Sequence, residues 1–93
     1  MNDTKLLIGS LSNDLLRVAN MIARGSDKGA VRFFIEAQKW NTELKNHTVK
    51  PYIQKIINDI NSENGENILN MAKAEKYLMY SILLQNYSLH NSF

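Results

Sequence analysis

The chain has 93 residues, of which 44% are hydrophobic and 22% charged, and its 11 basic and 9 acidic side chains leave a net charge of +2. This composition is typical of one globular domain and excludes a disordered tail. The nearly even charge argues against a nucleic-acid or anionic-membrane surface, and no apolar run is long enough to span a bilayer. Because cysteine is absent, disulfides and thiolate metal sites are excluded, and we expect a cytoplasmic protein.

The first predicted helix, about 4–24, has apolar side chains at alternating spacings of three and four residues, which puts them on one face. They are Ile8, Leu11, Leu15, Val18 and Ile22. The helix is expected to end at Gly25, because glycine adopts the left-handed C-cap conformation without a steric cost. Leu16 lies off the stripe and is a candidate contact with another helix or a second chain.

The second predicted helix, about 28–45, follows a possible cap at Ser26 or Asp27. Its main apolar face consists of Ala30, Phe33, Phe34, Ala37, Trp40 and Leu44. We expect Trp40 to be largely buried in the densest part of the core. Val31 and Ile35 lie outside this face, so they join Leu16 as candidate interface residues.

The third predicted helix, about 49–61, has Pro51 in its first turn, where the missing amide hydrogen costs no helical bond. The fourth, about 66–87, is apolar over more than half of its circumference, and residues 88–93 are expected to fray. Turns this short force neighbouring helices to run antiparallel. The sequence therefore predicts a single all-α domain, an antiparallel up-and-down four-helix bundle.

The fourth predicted helix has two apolar faces, and only one of them can be covered by a small bundle. Four side chains are expected to face the bundle: Ile68, Met71, Leu78 and Ile82. The second face is expected to remain partly outside, and it contains Tyr77, Tyr80, Leu84 and Tyr87. An exposed apolar face of this size is typical of protein interfaces. We therefore predict that it binds another protein or a second copy of the chain.

Glu75 interrupts the apolar side of the fourth helix, and two interpretations are open. It could be a polar anchor for a small ligand held inside the bundle, since a buried carboxylate must find a partner or a proton. It could instead lie at a solvated boundary near Lys76, which is the favoured interpretation.

Catalytic and metal-binding patterns are missing from the sequence. The two histidines, His47 and His90, fall in a predicted turn and in the tail, and neither stands three residues from a glutamate as bundle metal sites require. No zinc-protease, nucleophile-elbow or phosphate-loop motif occurs. We therefore predict no enzyme, no metal and no cofactor.

The leading functional hypothesis is a non-enzymatic module for protein–protein interaction or self-association. One alternative is a nucleic-acid-associated accessory protein that uses basic residues around the first turn. These residues are Arg17, Arg24, Lys28 and Arg32. The even charge balance argues against this nucleic-acid alternative. The other alternative is a small-ligand bundle with Glu75 as its anchor.

Overall fold

The computed structural model describes residues 3–91 of the chain, and four α-helices make up most of this part. Helix α1 is Asp3–Ala23, α2 is Asp27–Leu44, α3 is Pro51–Ser62 and α4 is Met71–His90. A short 3₁₀ turn, Gly65–Asn67, lies between α3 and α4. No strand occurs within residues 3–91, and the all-α four-helix bundle predicted from the sequence is confirmed.

The turn between α1 and α2 follows the sequence prediction. Gly25 has a φ of 76°, so it occupies the left-handed conformation expected of a C-cap glycine. Its amide donates to the carbonyl of Ile22, and the amide of Ser26 donates to Met21, which together close the end of α1. Ser26 is the N-cap residue of α2, but its side chain makes no capping hydrogen bond.

The starts of α3 and α4 both differ from the prediction. Helix α3 begins at Pro51 rather than at residue 49, because the proline has a fixed helical φ and Lys50 before it is extended. Helix α4 begins at Met71 rather than at residue 66, because the Asn70 side chain accepts a hydrogen bond from the amide of Lys73 and caps the helix there. The connecting segment still contributes to the core through Ile68, which is fully buried.

The end of α4 also differs from the prediction. The helix continues to His90, so the expectation of fraying from residue 88 is wrong for residues 88–90. Ser88 is buried, and its hydroxyl donates to the carbonyl of Lys5 over 3.4 Å. Residues 92 and 93, the end of the predicted tail, lie outside the described residues.

Helix α1 packs against both α2 and α4, while α3 packs against α2. The Ser12 hydroxyl on α1 donates to the carbonyl of Ser81 on α4 over 2.7 Å, and Lys5 lies opposite Ser88. Low residue numbers on α1 thus meet high numbers on α4, which shows that the two helices are antiparallel. The described helices are too short or too polar to cross a membrane.

The core is mainly aliphatic. Of the three aromatic side chains that were predicted at its centre, only one is fully buried. Phe34 is fully buried, but Phe33 and Trp40 are only partly buried at its edge. Trp40 therefore packs against the core, but its predicted place in the densest part of the core is wrong. Its indole nitrogen donates to the Oδ2 atom of Asp14 over 2.8 Å, which holds the ring at the rim of the α1–α2 contact, where it reaches a carboxylate.

Candidate functional site: the outer face of the fourth helix

The outer face of α4 carries a stripe of large apolar side chains that no other described element covers. Met71 is 57% exposed, Leu78 43%, Ile82 52% and Leu89 59%. Met79, which lies beside the stripe, is 52% exposed. Met71, Leu78 and Ile82 were expected inside the bundle, and that prediction is wrong.

The inner face of α4 is the one predicted to remain outside. Tyr77 and Leu84 are fully buried and Tyr87 is 5% exposed, while Tyr80 is partly buried against the core. Tyr77, Leu84 and Tyr87 cannot contact a partner protein unless the bundle opens, so their assignment to an exposed face is wrong, whereas Tyr80 remains partly outside as predicted. The interior ring of Tyr77 lies 5.7 Å from that of Phe34.

Small residues explain why the tyrosine face points inward. Ala74, Ser81 and Ser88 lie seven residues apart on the side of α4 that faces α1, and all three are buried. A Cβ atom added to Gly9 on α1 would meet the hydroxyl of Ser88 at 3.8 Å, so the two helices approach each other closely. Side chains of leucine or methionine size on this side of α4 would force the helices apart.

Hydrogen bonds also favour the inner positions of Tyr80 and Tyr87. The Tyr80 hydroxyl donates to the Oδ2 atom of Asp59 over 2.6 Å, and the Tyr87 hydroxyl accepts from the amide of Lys50 over 3.3 Å. Each ring is thereby packed on apolar side chains while its hydroxyl has a partner at the rim. The outer stripe has no polar group that needs such a partner except Glu75 and Gln85.

An ion network fastens the start of α4 to the end of α3. Lys76 lies 2.9 Å from both Asp59 and Glu63, and Lys73 also pairs with Glu63. Burial alone would raise the pKa values of both carboxyls, but hydrogen bonds from Tyr80 and Lys76 to Asp59, and from the two lysines to Glu63, lower them below the usual range.

The same network affects its neighbouring tyrosine and lysine. Burial and the hydrogen bond to Asp59 raise the pKa of Tyr80 to about 12. Although burial opposes its charge, the two carboxylates raise the pKa of Lys76 above the ordinary lysine range. The tyrosine therefore stays neutral and the lysine charged, and the network acts as a fixed clamp between helices.

A second polar cluster, between α1 and α2, was not recognised in the sequence. Asp14 is only 1% exposed, and it accepts hydrogen bonds from Trp40 and from Arg17, whose guanidinium lies 5.4 Å from the ring centre of Phe33. Burial raises the pKa of Asp14, and the nearby carboxylate of Glu36 adds to the effect. The signal available in the sequence was that Asp14 lies one position before Leu15 of the apolar stripe, at the edge of the buried face.

The remaining predicted interface residues lie on other surfaces. Leu16 is 38% exposed and one helical turn from Ser12, on the side of α1 that faces α4, so it flanks the outer stripe. Val31 and Ile35 are brought together on α2, in a shallow groove that Lys28 and Arg32 also line. The structure thus separates Leu16 from the other two.

The polar candidates lie on different surfaces of the bundle. Glu75 is exposed on the outer face of α4, so the hypothesis of an anchor inside the bundle is wrong, because no apolar surroundings desolvate its carboxylate within a single chain. Arg17 is paired with Asp14, while Arg24, Lys28 and Arg32 are exposed, and Asp27 lies beside the last two in the α2 groove.

The histidines do not assemble a metal site either. His47 is half-buried, and its Nδ1 atom lies 2.7 Å from the hydroxyl of Thr4. His90 is exposed in the last turn of α4. Among residues 3–91, no three histidine, aspartate or glutamate side chains are grouped so that they could hold a metal ion.

Comparisons of the chain with known protein families, with curated proteins and with solved structures gave no match.

Proposed function

We propose that the protein is a non-enzymatic association module whose binding surface is the outer face of α4. The observation that carries this proposal is the row of exposed Met71, Leu78, Ile82 and Leu89 on one side of one helix. With Met79, they expose on the order of 500 Å² of apolar surface, which is at the upper end of what a monomer leaves in water. We also propose that the protein acts in the cytoplasm.

The composition of this face supports binding to protein rather than to nucleic acid. Glu75 is its only acidic residue, and no lysine or arginine lies among its exposed positions. A surface for phosphate would need several cations, because neutralised phosphates dominate nucleic-acid affinity. Leucine, isoleucine and methionine instead suit the apolar stripe of another helix.

The test uses the double variant Leu78→Glu with Ile82→Glu, which puts two carboxylates at the centre of the face. Ile35→Glu on α2 is the matched control, because Ile35 is also large, apolar and 55% exposed. Self-association is measured by sedimentation equilibrium, and binding of other proteins by capture on the immobilised chain followed by titration of the purified candidate. Circular dichroism checks that all variants remain helical.

We expect the wild type and the Ile35→Glu control to associate equally, and the double variant to lose association while keeping its helicity. The proposal is wrong if the wild type neither self-associates nor binds any protein that the double variant fails to bind. It is also wrong if the double variant unfolds at neutral pH while remaining monomeric, because the two side chains would then belong to the core.

A further inference from the structure

Six of the exposed positions on α4 follow a regular spacing of four, three, four, three and four residues, and the exposed Met79 and Leu83 lie beside this series. We call these six positions the seam: Met71, Glu75, Leu78, Ile82, Gln85 and Leu89. All six are exposed. An average spacing of 3.5 residues is the pattern by which one helix packs along another in a coiled coil, with the seam side chains interlocking. The seam therefore fits a partner helix better than it fits a loop or a flat sheet.

The seam reads the same in both directions along the helix. Its order is apolar, polar, apolar, apolar, polar, apolar, and the pattern is symmetric about the level of residue 80. A second α4 that lies antiparallel, with a two-fold axis at this level, would place Met71 against Leu89, Glu75 against Gln85 and Leu78 against Ile82 of the second copy. Each contact would occur twice, as a two-fold symmetric interface requires.

We infer that the partner of the seam is a second copy of this chain, bound antiparallel through α4 in a symmetric homodimer. The inference rests on the proposed function, since it names the occupant of the same face. It adds the identity of the partner, the direction of the two helices and the pairing of the polar residues.

Electrostatics distinguish the antiparallel arrangement from the parallel one. A parallel pair would bring the Glu75 carboxylates of both copies together between apolar side chains, where like charges losing water are strongly unfavourable. In the antiparallel pair, the amide of Gln85 from the second copy can donate to each Glu75 carboxylate. Glu75 thus disfavours the wrong direction while costing little in the proposed one.

The size of the seam fits a reversible dimer. Two copies together would remove on the order of 1,000 Å² of surface from water, which is near the lower limit for a specific interface. Leu16 flanks the seam from α1 and would add to this area. We therefore expect a dissociation constant in roughly the micromolar range rather than an obligate dimer.

The natural chain contains no cysteine, so single introduced cysteines can report the direction of the helices without background. Met71→Cys and Leu89→Cys are prepared separately and oxidised alone and as an equimolar mixture. In the antiparallel dimer, equivalent positions at 71 are about 27 Å apart along the helix axis, too far for a disulfide. Cross-linked dimers are therefore expected in the mixture and absent from either variant alone. Ile35→Cys, at an exposed position on α2, measures cross-linking by collision.

Charge variants at Gln85 test the pairing independently. Gln85→Lys is expected to tighten the dimer about fivefold, because two new ion pairs with Glu75 would form, each of ordinary surface strength. Gln85→Glu is expected to weaken it by a similar factor, and adding Glu75→Gln to that variant is expected to restore the wild-type affinity. Sedimentation equilibrium measures all four proteins.

The inference is wrong if Met71→Cys or Leu89→Cys cross-links efficiently by itself, because the helices would then be parallel. It is also wrong if Gln85→Lys weakens the dimer or if the wild type is monomeric at millimolar concentration. In the last case the proposed function survives if a different purified protein binds the wild type and not the Leu78→Glu, Ile82→Glu variant. The two proposals therefore fail by different observations.

Discussion

The two faces of α4 differ in a way that hydropathy alone does not anticipate. The inner face is formed largely by tyrosine, serine and alanine, whereas the outer face exposes leucine, isoleucine and methionine. The inner face is buried because its small residues let α1 approach and because the hydroxyls of Tyr80 and Tyr87 reach polar partners at the rim. Burial in this bundle therefore follows fit and hydrogen bonding, and the more apolar face is left exposed.

The largest expected effect on stability comes from a buried leucine on the inner face of α4. Leu84 is fully buried, so Leu84→Ala is expected to lower the free energy of unfolding by about 2–5 kcal/mol, since it removes core contacts and leaves a cavity. Urea denaturation at a concentration where the protein is monomeric measures this loss. A loss below about 1 kcal/mol would place Leu84 at the surface and reverse the assignment of the two faces.

The close approach of α1 and α4 gives the next effect. Ser81→Leu is expected to destabilise the monomer by about 1–3 kcal/mol, because the larger side chain must push α1 away. Ser81→Ala is the control, and it is expected to have little effect, because Ser12 donates to the backbone carbonyl of residue 81 rather than to its side chain. Equal stability of the leucine and alanine variants would contradict the close packing of these helices.

Sequence patterns predicted the helices and their order well, because periodicity and capping act locally. Gly25 and Pro51 marked real boundaries, and the stripe of α1 is buried as expected. The orientation of α4 could not be predicted in this way, because both of its faces are apolar enough to be buried. The choice depends on the surface of α1, where Gly9 lies near Ser88 and Ser12 donates to the carbonyl of Ser81.

The ion network around Lys76 and the polar cluster around Asp14 were harder to predict, because each joins residues that are far apart in the sequence. If each helix is considered alone, Asp59 and Lys76 are expected to face solvent. They form an ion pair only because α3 and α4 come together in the fold. Asp14 and Trp40 are likewise joined only by the contact between α1 and α2. The residues of the outer stripe, in contrast, can be grouped from their spacing in the sequence, although the sequence analysis placed them facing the bundle rather than solvent.

The ion network on the inner edge of α4 gives a smaller, pH-dependent effect. Lys76→Met is expected to cost about 1 kcal/mol at neutral pH, because the lysine pairs with two partly screened carboxylates. The pKa values of Asp59 and Glu63 are lowered in the folded state, so this stabilisation is present above the ordinary carboxyl range. It is lost as the pH falls through the lowered values.

Urea midpoints of the wild type and of Lys76→Met, measured from neutral to acid pH, check this expectation. The two curves are expected to converge in acid. Asp14 behaves in the opposite sense, because its raised pKa favours the protonated folded state as the pH falls from neutral. A constant difference between the two proteins across the whole pH range would show that Lys76 stabilises through its aliphatic stem rather than through its charge.

The smallest expected effect on the monomer completes the comparison with Leu84. Leu78→Ala changes the same residue type on the same helix, but Leu78 is 43% exposed, so little packing is lost and alanine is the better helix former. We expect the unfolding free energy of the monomer to change by no more than about 0.5 kcal/mol. Dimerisation, measured on the same samples by sedimentation, is expected to weaken severalfold, because Leu78 lies at the centre of the proposed seam. If Leu78→Ala destabilised the monomer as much as Leu84→Ala, both faces of α4 would be core, and the chain would have no free surface of this kind for a partner.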